Sequence, residues 1–198
     1  DKTEITLTGS GESASLFSTK TTTYDYSSYT TFKPDGEVWA TQPALTSKTE
    51  IGPDGVTQTI YNSMSNSDPD PETGIEDLTF NPMVVKHWEA GVDPDSEGAP
   101  PPVAETYYNP DGNVTQMVTT TPTFGPDGTT QTGSVTLERI WPQTGLDAGV
   151  TPDSDGAPPP LFTTESTYSS YTTFKPDGEV WATQPALTSK TESGPDGV

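Results

Sequence analysis

Asp93-Pro94-Asp95-Ser96-Glu97-Gly98 sets three carboxylates at alternate positions ahead of a glycine, as in the opening of many calcium-binding loops. Alternation turns successive oxygens toward one hard cation, and glycine permits the sharp bend. A second copy, Thr151-Pro152-Asp153-Ser154-Asp155-Gly156, puts a hydroxyl where the first carboxylate stood. The candidate calcium ligands are therefore Asp93, Asp95 and Glu97 in one loop and Asp153 and Asp155 in the other. Neither loop is an EF-hand: Ala104 and Phe162 stand at the twelfth position, where a bidentate Glu belongs, and no helical sequence flanks either. The competing reading is a solvated acidic linker with no ion.

Asp68-Pro69-Asp70-Pro71-Glu72, followed by Gly74, Glu76 and Asp77, forms another acidic cluster, although alternating prolines also simply keep a loop extended. His87 is the only histidine, so Ser/His/Asp and multi-histidine metal sites are excluded by count. It reads as a strand residue beside Trp88. No phosphate-binding or dinucleotide fingerprint occurs, and abundant carboxylates do not by themselves flank a cleft. The chain is read as a non-enzyme. Asn113-Val114-Thr115 is a glycosylation sequon, and the Thr-rich and Pro-rich stretches could carry O-linked sugar.

The elements that must position these residues have to be built from little apolar material. Of 198 residues only 28% are hydrophobic, while 21 are proline, 18 are glycine and the net charge is −21. Such values approach those of disordered chains, but four Trp, eight Tyr and six Phe are spread widely enough to seed several small cores. Thin modules are expected, each drawing stability from neighbours, ions or self-association. Only eight basic residues are present, which argues against nucleic acid and anionic membranes as partners. Without cysteine there are no disulfides. No apolar run approaches the roughly 20 residues that span a bilayer, so no membrane insertion is expected.

Self-comparison gives the strongest signal. Residues 26–56 recur at 168–198 with one change in 31 positions, Ile51 to Ser193, at an offset of 142. GVDPDSEGAPPP at 91–102 recurs as GVTPDSDGAPPP at 149–160, an offset of 58. Together these imply a 142-residue super-repeat made of a long module, 19–102, and a short one, 103–160, with 161–198 opening the next copy. TTFKPDG, EIGPDGVTQT and HWEAGV in the first answer TYYNPDG, TFGPDGTTQT and RIWPQTGLDAGV in the second. Near-identity over 31 residues exceeds what a fold requires and implies duplication within a longer repetitive parent.

Six PDG tripeptides, at 34, 53, 110, 126, 176 and 195, predict type I turns closed by a glycine bulge. Their Thr-, Tyr- and Val-rich flanks favour strands. The fold class expected is all-β: tandem small antiparallel modules, each a meander or an immunoglobulin-like sandwich, joined by Pro-rich linkers. Expected core residues are Phe32, Trp39, Tyr61, Phe80 and Trp88 in the long module. In the short one they are Tyr107, Met117, Phe124, Val135, Leu137 and Trp141. The APPP tracts at 99–102 and 157–160 read as stiff spacers. Residues 1–18 contain an EITLTG strand without its own turn partner, which invites pairing with a neighbouring subunit.

Tyr108-Asn109-Pro110-Asp111-Gly112-Asn113-Val114-Thr115-Gln116 resembles the YD repeats of bacterial secreted shells and toxins over some ten residues, with Phe32 and Phe124 replacing the tyrosine elsewhere. More broadly, near-identical Thr-rich and Asp-rich β modules with proline spacers resemble bacterial surface adhesins, stalks and pilus-like fibres. That resemblance implies an extracellular or cell-surface location and self-association or adhesion. The function expected is a structural subunit of a repetitive fibre that assembles by strand pairing. The alternative is a calcium-stiffened adhesin stalk that binds surface glycans or proteins.

Overall fold

Stretches of β-branched and aromatic residues punctuated by Pro-Asp-Gly form strands because such side chains sit well on a pleated surface while Pro and Gly end each run. The computed structural model describes residues 2–8, 18–65, 67–128, 130–147, 150–154, 156–175 and 177–195, and all regular structure within them is β. The strands are β1 (Lys2–Thr8), β2 (Ser18–Phe32), β3 (Val38–Gly52), β4 (Gly55–Ser65) and β5 (Leu78–Trp88). They continue as β6 (Ala104–Tyr108), β7 (Val114–Phe124), β8 (Gln131–Ile140), β9 (Phe162–Phe174) and β10 (Val180–Ser193). Sheet order equals chain order, so of the two architectures expected the antiparallel meander is the one observed. The chain divides into two compact units, Asp1–Pro102 with Tyr107–Gly112 and Val103–Thr106 with Asn113–Val198.

The turn chemistry is as expected at 33–36, where Gly36 N–H donates to Lys33 O at 2.9 Å and Gly36 adopts φ +87°. Pro34 presets the second turn position and only glycine takes the left-handed fourth position without strain. The same i to i+3 bond closes 109–112, 125–128 and 175–178. The turn at 53–55 is tighter, with Gly52 facing Gly55 across the hairpin. The tripeptide at 195 runs outside the described residues, as does Pro176.

In the first unit β1 pairs with β2, from Lys2 opposite Tyr24 to Thr8 opposite Ser18. The segment read as an unpaired strand thus has a partner in its own chain. Pro43 sits inside β3 without disrupting a ladder. The β3–β4 register covers only Ser47–Gly52, leaving the Pro43 edge outside it.

The core is small. Among apolar residues only Ala44, Val56, Trp88, Val114, Trp141 and Leu146 are buried among those described. Trp88 and Trp141 were expected there, but Phe32 is 58% and Phe124 53% exposed. Both end a strand just before its turn: Phe32 faces Val38 and Phe124 faces Gln131 within their own hairpins, but on the other side of β2 the β1 register ends at Tyr24. The other expected core residues are half-buried.

Burial also corrects the alignment of the two related stretches of sequence. Val56 and Val114, 58 positions apart, each begin a VTQ run and are each buried. The PDG that precedes β4 therefore answers the one that precedes β7, rather than the one at 126. Trp88 and Trp141 lie only 53 apart, because the second stretch carries five extra residues after its tryptophan. That insertion delivers Leu146, 1% exposed, whose N–H donates to Val114 O at 2.9 Å.

Candidate functional site

Each acidic loop links a strand-end tryptophan to a proline tract, so its geometry is set by how the tract docks. A buried indole N–H must find an acceptor, and a proline tract offers carbonyls without competing N–H groups. Trp88 Nε1 donates to Pro100 O at 3.0 Å, and Trp141 Nε1 donates to Pro158 O at the same distance. The first proline of each tract is therefore clasped to the end of the strand that precedes it, where spacers were expected. Between tryptophan and tract, Ser96 N–H donates to Asp93 O and Ala99 N–H to Ser96 O, and Ser154 and Ala157 repeat both bonds on Thr151 O and Ser154 O. The loops are two successive tight turns.

Among the described residues these turns do not bring three of the proposed calcium ligands together. Asp93 uses Oδ1 to accept its own turn's Asp95 N–H at 3.1 Å, and Asp93, Asp95 and Glu97 are all exposed. Asp153 instead receives Arg139 at 2.8 Å. Asp155 lies outside the described residues. Among the described residues no group of three metal-ligating side chains converges.

The other acidic cluster does have a defined task. Asp70 Oδ1 accepts the backbone N–H of Glu72 and Thr73 and the Thr73 hydroxyl, at 2.8–2.9 Å. These bonds, led by that from the Thr73 backbone, hold the Asp70 carboxyl below its usual range. Gly74 and Glu76 are thereby presented to the β2–β3 hairpin. Gln42 behaves there as an imitation peptide unit: its Nε2 donates to Glu76 O at 2.8 Å and its Oε1 accepts Glu76 N–H at 3.1 Å. Thr31 donates to Gly74 O at 2.6 Å and Tyr29 to Glu76 Oε2 at 2.8 Å. The hydrogen bond to Glu76, helped by burial, raises the Tyr29 pKa. Gly74, at φ +71°, is pressed against the Trp39 indole so closely that a Cβ would lie 2.4 Å from the ring.

The clasp grips the edge that Pro43 leaves without a ladder. Side-chain amides and hydroxyls there do what backbone pairing does between Ser47 and Gly52. Further along, Lys20 and Lys48 both reach Glu50. Burial pulls Glu50 upward, but the two lysine hydrogen bonds outweigh it and leave its carboxyl below the usual range.

A small cleft of about 190 Å³ in the first unit is lined by Asn62, Asn81, Pro82, Met83, Tyr108 and the Asn109–Pro110 turn. Its volume is below the roughly 300 Å³ at which small-molecule pockets begin. His87 is engaged structurally, its Nδ1 lying 3.1 Å from the Thr57 hydroxyl.

The chain's most extended feature is a pair of like hairpins. β9–β10 reproduces β2–β3 partner for partner: Thr31 opposite Ala40 becomes Thr173 opposite Ala182, and Thr21 opposite Ile51 becomes Thr163 opposite Ser193. Both bulges recur, and the Thr46 hydroxyl bond to Asp25 O recurs as Thr188 to Thr167 O. Each hairpin also has a strand on its first edge. β8 runs along β9 with Ile140 opposite Phe162, as β1 runs along β2 with Thr6 opposite Lys20, the residue 142 positions earlier. No protein-family model, curated protein or solved structure matches the chain.

Proposed function

We propose that this chain is a structural segment of an extracellular or cell-surface repetitive fibre, built of tandem β modules and extended by strand pairing. The observation that carries this reading is the recurrence of the β2–β3 hairpin as β9–β10 at 142 residues, with the same register and the same bulges. The work of each module is to close its own core, with the proline tract clasped over tryptophan, while passing the sheet on to the next strand. Partners on this reading are copies of the same repeat. Strong acidity suits it too, since like-charged surfaces suppress lateral aggregation while edge-to-edge hydrogen bonding continues.

Adhesion to surface glycans, with or without calcium, is the weaker reading. The candidate calcium ligands Asp93, Asp95 and Glu97 are exposed and Asp153 is held by Arg139, so no preformed cation site among the described residues supports it. Negative-stain electron microscopy of purified chain tests the proposal. Filaments of uniform width are expected; separate particles at every concentration would overturn it.

A further inference from the structure

Directly opposed strand residues share one side of a sheet and successive residues alternate, so the registers sort side chains onto two sides. In the first unit Thr21, Ile51, Val56 and Trp88 stand in one row, and Thr31 and Gln42 lie on that same side. The loops dock there: Gly74 and Glu76 meet Thr31 and Gln42, and Pro100 meets Trp88. In the second unit Arg139 lies over the Trp141 ring, and Asp153 and Pro158 come to this pair. Each unit thus has a loop side.

The opposite side carries the exposed apolar residues. Tyr26, Phe32 and Val38 occupy it in the first unit, and Phe124, Phe162, Val180 and Leu187 in the second, all 47–58% exposed. Tyr26, Val38 and Leu45 recur as Tyr168, Val180 and Leu187, so the pattern is written twice. Charge also separates the two sides. Across β2–β4 and β7–β10 the open side holds Lys20, Lys48, Glu50, Glu138, Lys190 and Glu192. Three lysines and three glutamates cancel, so none of the net charge of −21 arises from them. Lys20 and Lys48 pair with Glu50, and Lys190 with Glu192. The loops of the other side expose Asp70, Glu72, Asp93, Asp95 and Glu97.

We infer that the open side is a self-association surface, on which the same side of a second copy stacks to form a two-layered sheet. A single sheet leaves one apolar face without a second layer, and stable β architectures supply one about 10 Å away. Four strands of 10–14 residues, β7–β10, present roughly 750–800 Å², close to the 800 Å² or so that each partner contributes to a standard interface. A second copy is the occupant because balanced charge makes this side complementary to itself, with lysine of one layer over glutamate of the other. Loop sides would instead set carboxylates against carboxylates. Strand pairing lengthens a sheet, whereas this contact thickens it and stops at two layers, because only acidic loop sides remain outside. The contact goes beyond the fibre reading and does not depend on it.

The test uses the intact chain. Sedimentation equilibrium should show a monomer–dimer equilibrium. Val38→Glu combined with Leu187→Glu should raise the dimer dissociation constant about tenfold or more, since charge is then buried without a partner. Ile51→Glu combined with Met64→Glu, also at exposed positions but on the loop side, should change it less than about threefold. The protein contains no cysteine, so single cysteines report each side separately. Val38→Cys and Leu187→Cys should react with iodoacetamide more slowly as protein concentration rises, and Ile51→Cys and Met64→Cys at a constant rate. A chain monomeric at every concentration, equal weakening by both glutamate pairs, or protection of cysteines on both sides would each overturn the inference. Dimers protected on the open side, from chain that forms no filaments, would sustain it and remove the fibre reading. Filaments whose open-side cysteines stay fully reactive would do the reverse.

Discussion

Replacing Trp88 separates the two contributions that hold the first proline tract. Trp88 is 6% exposed, lies opposite the enclosed Val56, and donates its indole N–H to Pro100 O. Trp88→Phe keeps an aromatic ring but deletes the donor. Pro100 is itself exposed, so water can reach the abandoned carbonyl and the cost should be near the net worth of one hydrogen bond, about 0.5–1.5 kcal/mol. Trp88→Ala also empties the site, and large-to-small aromatic truncations cost about 3–5 kcal/mol. For a chain of this size each kcal/mol moves Tm by about 2–4 °C, so the expected drops are roughly 1–6 °C for W88F and 6–20 °C for W88A. Thermal melts by circular dichroism would measure them. A Glu-specific protease would report the loop directly, with cleavage after Glu89 and Glu97 faster in W88A than in W88F. Should W88A melt within about 2 °C of the parent with no new cleavage, the tryptophan–proline clasp does not hold the module together.

Gln42→Ala should free the Gly74–Glu76 clasp at a cost of about 1–3 kcal/mol, seen as faster amide exchange at Glu76 than in the parent. The raised pKa of Tyr29 makes its bond to Glu76 a source of stability fully present below the ordinary tyrosine value near 10 and lost as pH rises through the elevated one. Melts between pH 8 and about 11 should show a steeper loss for the parent than for Tyr29→Phe. Gly74→Ala should destabilise the first unit, because the new methyl meets the Trp39 ring and the backbone is left-handed there; an unchanged melt would contradict the contact. Calcium at millimolar concentration, or EDTA, should leave Tm unmoved, since no three carboxylates converge among the described residues.

The strands and their turns were legible because the signal is local. Lys33-Pro34-Asp35-Gly36 carries its turn in four residues, and the offset of 142 predicts a second hairpin like the first. Phe32 and Phe124 were misjudged because hydrophobicity does not say whether a neighbouring strand extends that far. The proline clasp had a readable sign: a tryptophan followed 12 or 17 residues later by the first proline of an APPP tract. Sequence alone suggested a spacer because polyproline is commonly free, whereas here a buried indole needed a carbonyl. Gln42 had no sign beyond its place beside Pro43. Its partner lies 34 residues away in a loop whose acidity suggested ions, although Asp70 uses its charge to fold the loop and Glu76 to meet Tyr29.

If the recurring hairpins add strands to a growing sheet, hydrogen bonds run along the fibre and strands cross it. X-ray fibre diffraction from oriented filaments of the chain is the most direct measurement of that claim. A meridional reflection near 4.8 Å, the spacing of paired strands, is the expected result. Filaments that diffract at that spacing only on the equator, or not at all, would contradict it.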